Sequence, residues 1–208
     1  MSSADQLAGG VAALGFALPE GAQEKLLAYL GLLLKWNRTY NLTAVRDEAD
    51  MVTHHLLDSL AVAPHLGAAR TLADVGSGAG LPGLALAMAR PELKVVSVEA
   101  VQKKAAFQQQ AKIQLGLANV EVRPERIEAL PDGLAFDAVI SRAFSSIADF
   151  VRLAGRLAAP QGRLLAMKGV FPADEIAAVP AGWRVAASPS IVVPGLKAQR
   201  HLIILERE

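Results

Sequence analysis

The pattern of apolar positions divides the chain into a helical first third and a longer part in which strands and helices alternate. Residues 1–18 predict a short helix with a loose start. Five leucines then follow the 3.6-residue period of one helical face: Leu26, Leu27, Leu30, Leu33 and Leu34. A further helix is predicted to begin near Asp47, whose carboxylate can cap it, and to end around Pro64–Gly67. Residues 1–68 therefore form a predicted N-terminal helical extension.

From Arg70 the rhythm becomes strand, glycine loop, helix and strand. Seven apolar runs predict strands: RTLADVG, KVVSVEA, VEVRPE, FDAVISRA, GRLLAMKG, WRVAASPSIVVPG and QRHLIILER. The first five strands alternate with helices, which favours a mainly parallel, doubly wound sheet of the α/β class. The last two runs lie too close together for a helical crossover, so they predict an antiparallel hairpin. We assign this core to residues 69–208.

Composition excludes several classes of protein. The 208 residues are 52% hydrophobic and 20% charged, which excludes wholesale disorder and suits one domain with a small appendage. The absence of cysteine excludes disulfides, a cysteine nucleophile and thiolate zinc sites. Apolar runs are far shorter than the roughly 20 residues of a membrane span. No Lys or Arg precedes Lys25, so we see no secretory leader and expect a cytoplasmic protein without membrane contact.

A glycine-rich loop, Asp74–Gly80, joins the first core strand to the helix that follows. Glycines there allow a sharp turn and a close approach of the backbone to a ligand. The alternative is a tight turn without a ligand. The position between a strand and a helix favours a nucleotide-binding loop, with Asp74, Gly76, Gly78 and Gly80 as candidate cofactor contacts.

The loop leaves two cofactor classes open. Gly78, Gly80 and Gly83 match the dinucleotide fingerprint G-x-G-x-x-G, which would indicate a nicotinamide-dependent oxidoreductase. Two features argue against that alternative. Pro82 lies among the amides that a pyrophosphate needs, and the Asp74 carboxylate would repel phosphate but attract an ammonium. S-adenosylmethionine carries an ammonium and no phosphate.

Further candidate cofactor residues follow the second and third strands. Glu99 and Ala100 stand at the end of the second strand, where a carboxylate can accept both ribose hydroxyls. Ile127 and Glu128 follow the third strand and are candidates to flank an adenine.

Several blocks of the chain together resemble one known family. They are KWNRTYNLTAVRD (35–47), HHLLDS (54–59), DVGSGAGLPG (74–83), FDAVISRAF (136–144), MKG (167–169) and QRHL (199–202). In this order they closely resemble the RsmG (GidB) family of bacterial methyltransferases, which form 7-methylguanosine in 16S ribosomal RNA. The glycine block is common to many methyltransferases, whereas the first block combined with ISRAF is far more specific.

The resemblance implies a Rossmann-like class I methyltransferase fold and S-adenosylmethionine as cofactor. The implied cofactor contacts are Gly76, Leu81, the Glu99 strand end, Ile127, Glu128 and Arg142. It also implies that Arg142, Lys168 and Arg200 face RNA or the reacting base. The expected partner is 16S ribosomal RNA or the small ribosomal subunit, and we expect a monomer.

The chemistry of that reaction explains why no certain catalytic residue is expected. Ring nitrogen seven of guanine carries a free lone pair, so the transfer needs alignment and no general base. Residues 140–208 hold nine Lys or Arg and five acids, a net charge of +4 that suits an RNA face. Phe144 is a candidate to stack on a base or to pack in the core. A non-catalytic ribosome-assembly factor remains the alternative that is not an enzyme.

The histidines do not indicate a metal site. His54 and His55 are neighbours that point about 100° apart on a helix, and no carboxylate pattern accompanies them. We predict no metal, and instead a structural hydrogen bond between His55 and Asp58. We predict that Trp36 packs the extension against the sheet.

Overall fold

The computed structural model describes residues 2–142 and 144–208; Ala143, inside the FDAVISRAF block, lies outside the described residues. The helical extension begins with two helices, α1 (Ser3–Ala13) and α2 (Ala22–Tyr40). A single run of helical turns follows, made of α3 (Glu48–Met51), a π-helix (Val52–Leu57), α4 (Asp58–Leu60) and a 3₁₀ turn (Ala63–Leu66). Asp47 caps α3 by accepting the Asp50 amide at 3.0 Å, as predicted.

A seven-stranded sheet follows, with the strand order β3-β2-β1-β4-β5-β7-β6. Its strands are β1 (Thr71–Val75), β2 (Lys94–Val98), β3 (Val120–Arg123), β4 (Phe136–Ser141), β5 (Ala158–Lys168), β6 (Trp183–Ala187) and β7 (His201–Arg207). Its helices are α5 (Gly83–Ala89), α6 (Gln102–Gln114), α7 (Ile147–Ala154) and α8 (Ala173–Ala177), with 3₁₀ turns at Ile127–Ala129 and Gly155–Leu157. The five strands β1 to β5 are parallel, and β7 runs antiparallel to both β5 and β6.

Both faces of the sheet are covered, which explains the nearly continuous apolar runs of its central strands. Successive residues of a strand point to opposite faces. Leu72 and Ile140 accordingly belong to the hydrophobic cluster on one face, and their neighbours Ala73 and Val139 belong to the cluster on the other. All four are fully buried.

The helical extension shares a hydrophobic core with one face of the sheet. Leu26, Leu30 and Leu33 of α2 are buried in the same cluster as residues of α5 and β1. The Trp36 ring packs edge-on against Phe107 of α6 with centroids 5.7 Å apart, which confirms its predicted packing role. The extension is therefore fixed against the sheet and can contribute side chains to a site at the sheet's edge.

The fold agrees with the prediction from the sequence, including the parallel strands and the C-terminal hairpin. Three local features differ, the first of which is the short helix α8, which the sequence did not predict. The predicted sixth strand ends at Ala187, and an irregular segment joined to β7 by a bridge from Ser190 to His201 follows it. The predicted single helix after Asp47 contains a π-helical stretch over Val52–Leu57.

Candidate active site

The glycine loop lies at the carboxyl edge of the sheet, where open α/β proteins bind their ligands. Gly76, Gly78 and Gly80 all have positive φ angles, of 67°, 61° and 90°, a conformation that only glycine adopts readily. The amides of Gly76 and Ser77 both donate to the Val98 carbonyl, which ties the loop to the end of β2. The loop is therefore a rigid wall of the site.

The amides at the start of α5 are already used within the protein. Gly80 and Leu81 donate to the Ser77 carbonyl, and Leu84 donates to the Gly80 carbonyl. The Gly83 amide donates to Asp74 Oδ2 at 2.7 Å. These are the donors that a dinucleotide's pyrophosphate would need, so the loop does not suit the nicotinamide alternative despite its matching glycines.

Asp74, the candidate partner for the ammonium of S-adenosylmethionine, is not exposed at the surface of the glycine loop. Its side chain is fully buried beneath the loop, and its Oδ1 has no hydrogen-bond partner among the described residues. Burial raises the pKa of Asp74 to about 7, although the Gly83 hydrogen bond and the Arg142 charge lower it. Asp74 thus fixes the start of α5, and the loop separates it from solvent.

A cavity of about 250 Å³ opens beside the loop, between the ends of β1 and β2 and the segment after β3. Its lining includes half of the ten predicted cofactor residues: Gly76, Glu99, Ala100, Ile127 and Glu128. Val75, Val98 and Phe144 add apolar walls. An apolar slot with a few carboxylates around it is typical of a nucleoside site, and we call it the cofactor cavity.

Glu99 is held in place by two backbone amides. Its Oε2 accepts from Gly78 at 2.7 Å and its Oε1 from Val101 at 2.8 Å. Because a carboxylate offers about four acceptor positions, Glu99 keeps capacity for the two hydroxyls of a ribose. The same contacts join the glycine loop to the start of α6, so Glu99 both shapes the cavity and faces it.

The other predicted cofactor residues do not line this cavity. Leu81 and Gly80 lie in the buried turn before α5, where they shape the loop and do not line the cofactor cavity. Arg142 lines a second cavity. Phe144 lines the cofactor cavity and packs on Phe150 with ring centroids 5.1 Å apart, so it faces the cofactor side.

The second cavity, of about 310 Å³, is lined by Arg142 at the end of β4, and we call it the acceptor cavity. All three predicted RNA-facing residues line it: Arg142, Lys168 and Arg200. They come from the ends of β4 and β5 and from the residue before β7. His54, His55 and Asp58 of the helical extension also line it.

Asp58 joins two of these cations and was not predicted to do so. Its Oδ1 accepts from Arg200 Nε at 2.7 Å, and its Oδ2 accepts from Arg142 Nη1 at 3.3 Å. Only 5% of the Asp58 side chain is exposed, against 28% of Arg142 and 25% of Arg200. The carboxylate is thus buried while both guanidinium groups still reach the cavity.

The predicted hydrogen bond between His55 and Asp58 is wrong. His55 Nε2 is paired instead with Thr43 Oγ1 at 2.9 Å. Burial, followed by the charge of Arg142, lowers the pKa of His55 to about 4, so the ring is neutral near pH 7. The π-helical turn explains the error, since the prediction assumed regular α-helical spacing between these two residues.

Lys168 is also paired. Its Nζ contacts both carboxylate oxygens of Glu175, at 2.8 and 3.2 Å, and the carbonyls of Phe144 and Ser145 at 3.3 and 3.4 Å. Glu175 belongs to α8, which the sequence did not predict. Lys168 thus links the segment after β4 to the segment after β5 at the rim of the acceptor cavity.

Two buried residues that support the glycine loop escaped sequence reasoning. Tyr29 Oη donates to the Ala79 carbonyl at 2.7 Å. Gln108 Nε2 donates to Ser77 Oγ and to the Gly78 carbonyl, both at 2.8 Å. Each of them is a polar residue on the apolar face of a predicted helix, and this pattern could have indicated a buried hydrogen bond.

A larger cavity, of about 740 Å³, lies at the opposite edge of the sheet, against the starts of β1 to β4, where α/β folds do not place their ligands. Within residues 2–142 and 144–208, no three His, Asp or Glu side chains are grouped as metal ligands. No helix in the same part of the chain is both long and apolar enough to cross a membrane.

Comparison with known proteins identifies the family. The model of the family described as rRNA small subunit methyltransferase G matches residues 22–203. The chain belongs to this family. A relative from Aromatoleum aromaticum with that name is 59% identical over 209 residues, which is 99% of both chains. Another, from an Azoarcus strain, is 57% identical over 204 residues and covers 98% of this chain and 96% of its own.

Solved structures show the same fold class. The O-methyltransferase TomG from Streptomyces achromogenes, solved in complex with SAM, superposes with a TM-score of 0.61 at 16% identity over 100% of this chain and 99% of its own. TrmN from Thermus thermophilus gives a TM-score of 0.60 at 20% identity, over 72% of this chain and 48% of its own. The predicted class I methyltransferase fold is thereby confirmed.

Proposed function

We propose that this member of the family transfers a methyl group from S-adenosylmethionine to ring nitrogen seven of a guanine in 16S ribosomal RNA. The observation that carries the proposal is the pair of cavities at the end of β4, one lined by Phe144 and the other by Arg142. One has the lining of a nucleoside site, and the other brings three cations to the same edge of the sheet. Family membership supports ribosomal RNA as the acceptor.

The residues present fit S-adenosylmethionine. Glu99 would accept the ribose hydroxyls, while Ile127 and Phe144 would enclose the adenine with Glu128 near its amino group. Gly76 and Gly78 would let the backbone approach the rest of the molecule. When bound, this cofactor supplies a methyl group on a cationic sulfur, which is an activated leaving group.

The acceptor cavity would bind and orient the RNA. Guanidinium groups such as those of Arg142 and Arg200 bind phosphate or the O6 and N7 edge of guanine. The N7 lone pair forms the new bond to carbon while the carbon–sulfur electron pair returns to sulfur, so no proton moves. Catalysis then rests on proximity and alignment, which can contribute several kcal/mol.

Transfer of labelled methyl groups tests the proposal. Small ribosomal subunits and their stripped RNA, from cells lacking the gene, are incubated with the protein and labelled S-adenosylmethionine and then digested to nucleosides. We expect label in 7-methylguanosine. Label in another nucleoside would refute the acceptor atom, and RNA binding without any transfer would support the non-catalytic assembly factor.

A further inference from the structure

Three positively charged side chains line the acceptor cavity, and so much positive charge does not favour the proposed methyl transfer. In the proposed reaction the positive charge moves from sulfur to the guanine ring, because N7 gives its lone pair to the methyl carbon. Fixed cations that bind RNA well also repel the charge that develops on the base. Arg142, Lys168 and Arg200 all line this cavity, so an opposing negative charge is needed at the same place.

Two carboxylates meet that need. Asp58 bridges Arg142 and Arg200, and Glu175 pairs with Lys168. The Asp58 side chain is 5% exposed, so solvent screens its charge little. Its only described charged partners are the two guanidinium groups, and the nearby His55 is neutral because burial lowers its pKa to about 4.

We propose that Asp58 is a positioning residue that lowers the positive charge of the acceptor cavity and thereby speeds methyl transfer to N7. The inference rests on the proposed function. Asp58 touches the two arginines and not the reacting atoms, so it acts through them. It offsets their charge against the developing guanine cation, while both arginines still line the cavity that would bind the RNA.

Single-turnover methylation at saturating RNA tests the charge directly. Asp58→Asn keeps the size of the side chain and removes its charge. We expect the transfer rate constant to fall about 10- to 50-fold, as one uncompensated charge several ångströms away implies. RNA affinity should be unchanged or tighter, and S-adenosylmethionine affinity unchanged. A role limited to holding the arginines predicts weaker RNA binding instead and would overturn the proposal.

A double variant separates charge from geometry. Asp58→Asn combined with Arg200→Gln restores the original net charge of the cavity while leaving the bridge broken. We expect the transfer rate constant of the double variant to recover several-fold above that of Asp58→Asn, with weaker RNA binding. A double variant no faster than Asp58→Asn would contradict charge compensation. Asp58→Glu, which keeps the charge, should stay faster than Asp58→Asn.

Glu175→Gln provides the same test should Asp58→Asn fail to fold, because Glu175 is 29% exposed and offsets Lys168 of the same cavity. Glu175→Gln should also lower the rate constant for methyl transfer. Its matched control is Glu206→Gln, which breaks the Arg184–Glu206 pair at the opposite edge of the sheet and should leave transfer unchanged. Equal methyl-transfer rate constants for the unaltered protein, Glu175→Gln and Glu206→Gln would refute the inference.

The two proposals fail in different ways. If the unaltered protein labels a nucleoside other than 7-methylguanosine, the proposed function fails and the charge argument falls with it. If 7-methylguanosine forms and Asp58→Asn transfers methyl groups at the unaltered rate, only the inference fails.

Discussion

Tyr29 of the helical extension donates its hydroxyl to the carbonyl of Ala79 in the glycine loop, at 2.7 Å. The Tyr29 side chain is fully buried, and burial raises its pKa far above the usual value for tyrosine, so the hydroxyl keeps its proton and donates it. The ring packs edge-on against Phe107 with centroids 5.8 Å apart. The extension therefore helps to hold the loop whose other side faces the cofactor cavity.

Tyr29→Phe should loosen the glycine loop, because it removes the hydroxyl and leaves a buried carbonyl without a partner. We expect a loss of about 1–3 kcal/mol in the free energy of unfolding and weaker S-adenosylmethionine binding. Urea denaturation and titration calorimetry measure the two effects. Tyr40→Phe is the control, since Tyr40 is 43% exposed on the same extension and should tolerate the change. Equal behaviour of the two variants would contradict the coupling of the extension to the loop.

Gln108 supports the same loop from α6. Its amide donates to Ser77 and Gly78, and the side chain is fully buried. Gln108→Met keeps the length but removes both donors, so we expect a loss of about 1–3 kcal/mol in stability and weaker cofactor binding. Gln109→Met alters the adjacent, exposed position on α6 and should change neither quantity measurably. Cofactor affinity in Gln108→Met equal to that of the unaltered protein would show that the loop keeps its shape without these bonds.

A matched pair of glycines tests the close contact between α5 and β1. A Cβ at Gly83 would lie 2.8 Å from Asp74 Oδ2 and 2.9 Å from Asp74 Cβ. Gly83→Ala should therefore cost about 1–3 kcal/mol through overpacking. A Cβ at Gly31, in the exposed middle of α2, meets no atom within 4 Å, so Gly31→Ala should stabilise by about 0.5–1 kcal/mol. Thermal unfolding of both variants checks the opposite signs, and two changes of the same sign would contradict this account.

Much of this arrangement follows from local sequence, because hydrophobic period and glycine position are local signals. The period predicts α2 and the strands, and the shared edge of a parallel sheet explains why Gly76, Glu99 and Ile127 come together at one cavity. Arg142 and Lys168 reach the second cavity from the ends of β4 and β5 at that edge, and Arg200 joins them because it directly precedes the antiparallel β7. The prediction that these three residues face one site came from the family resemblance and not from the composition of the chain.

The contacts that the sequence did not predict join distant parts of the chain. Asp58 meets Arg200 across 142 residues and Tyr29 meets Ala79 across 50, and no local pattern encodes such distances. The predicted contact of Asp74 with the cofactor stays a prediction, but the burial of its side chain could not be predicted from the local sequence. The structure buries Asp74 beneath the loop, because its carboxylate pairs with the Gly83 amide.

The pH dependence of stability should contain two opposing contributions from the two sides of the site. Asp74 has a folded-state pKa of about 7, raised from 3.8, in the presence of Arg142 and Glu99. The folded state therefore binds the proton more tightly, and this contribution falls as pH rises from about 4 to 7. His55 has a folded-state pKa of about 4, lowered from 6.5, with Arg142, His54 and Asp58 nearby. Its unfolded state binds the proton more tightly, so its contribution rises with pH from about 4 to 6.5.

Substitution should separate these two contributions, because each variant leaves the other one in place. Relative to the unaltered protein, Asp74→Asn should gain stability and His55→Gln should lose stability as pH rises through this range, each by up to about 1.4 kcal/mol per pH unit. Urea denaturation of the three proteins at several pH values measures the differences, in which all other titrating groups cancel. A difference for Asp74→Asn that does not change with pH would mean that its carboxyl is ionised in the fold. The buried negative charge of Asp74 would then favour binding of the cofactor's ammonium on the other side of the loop.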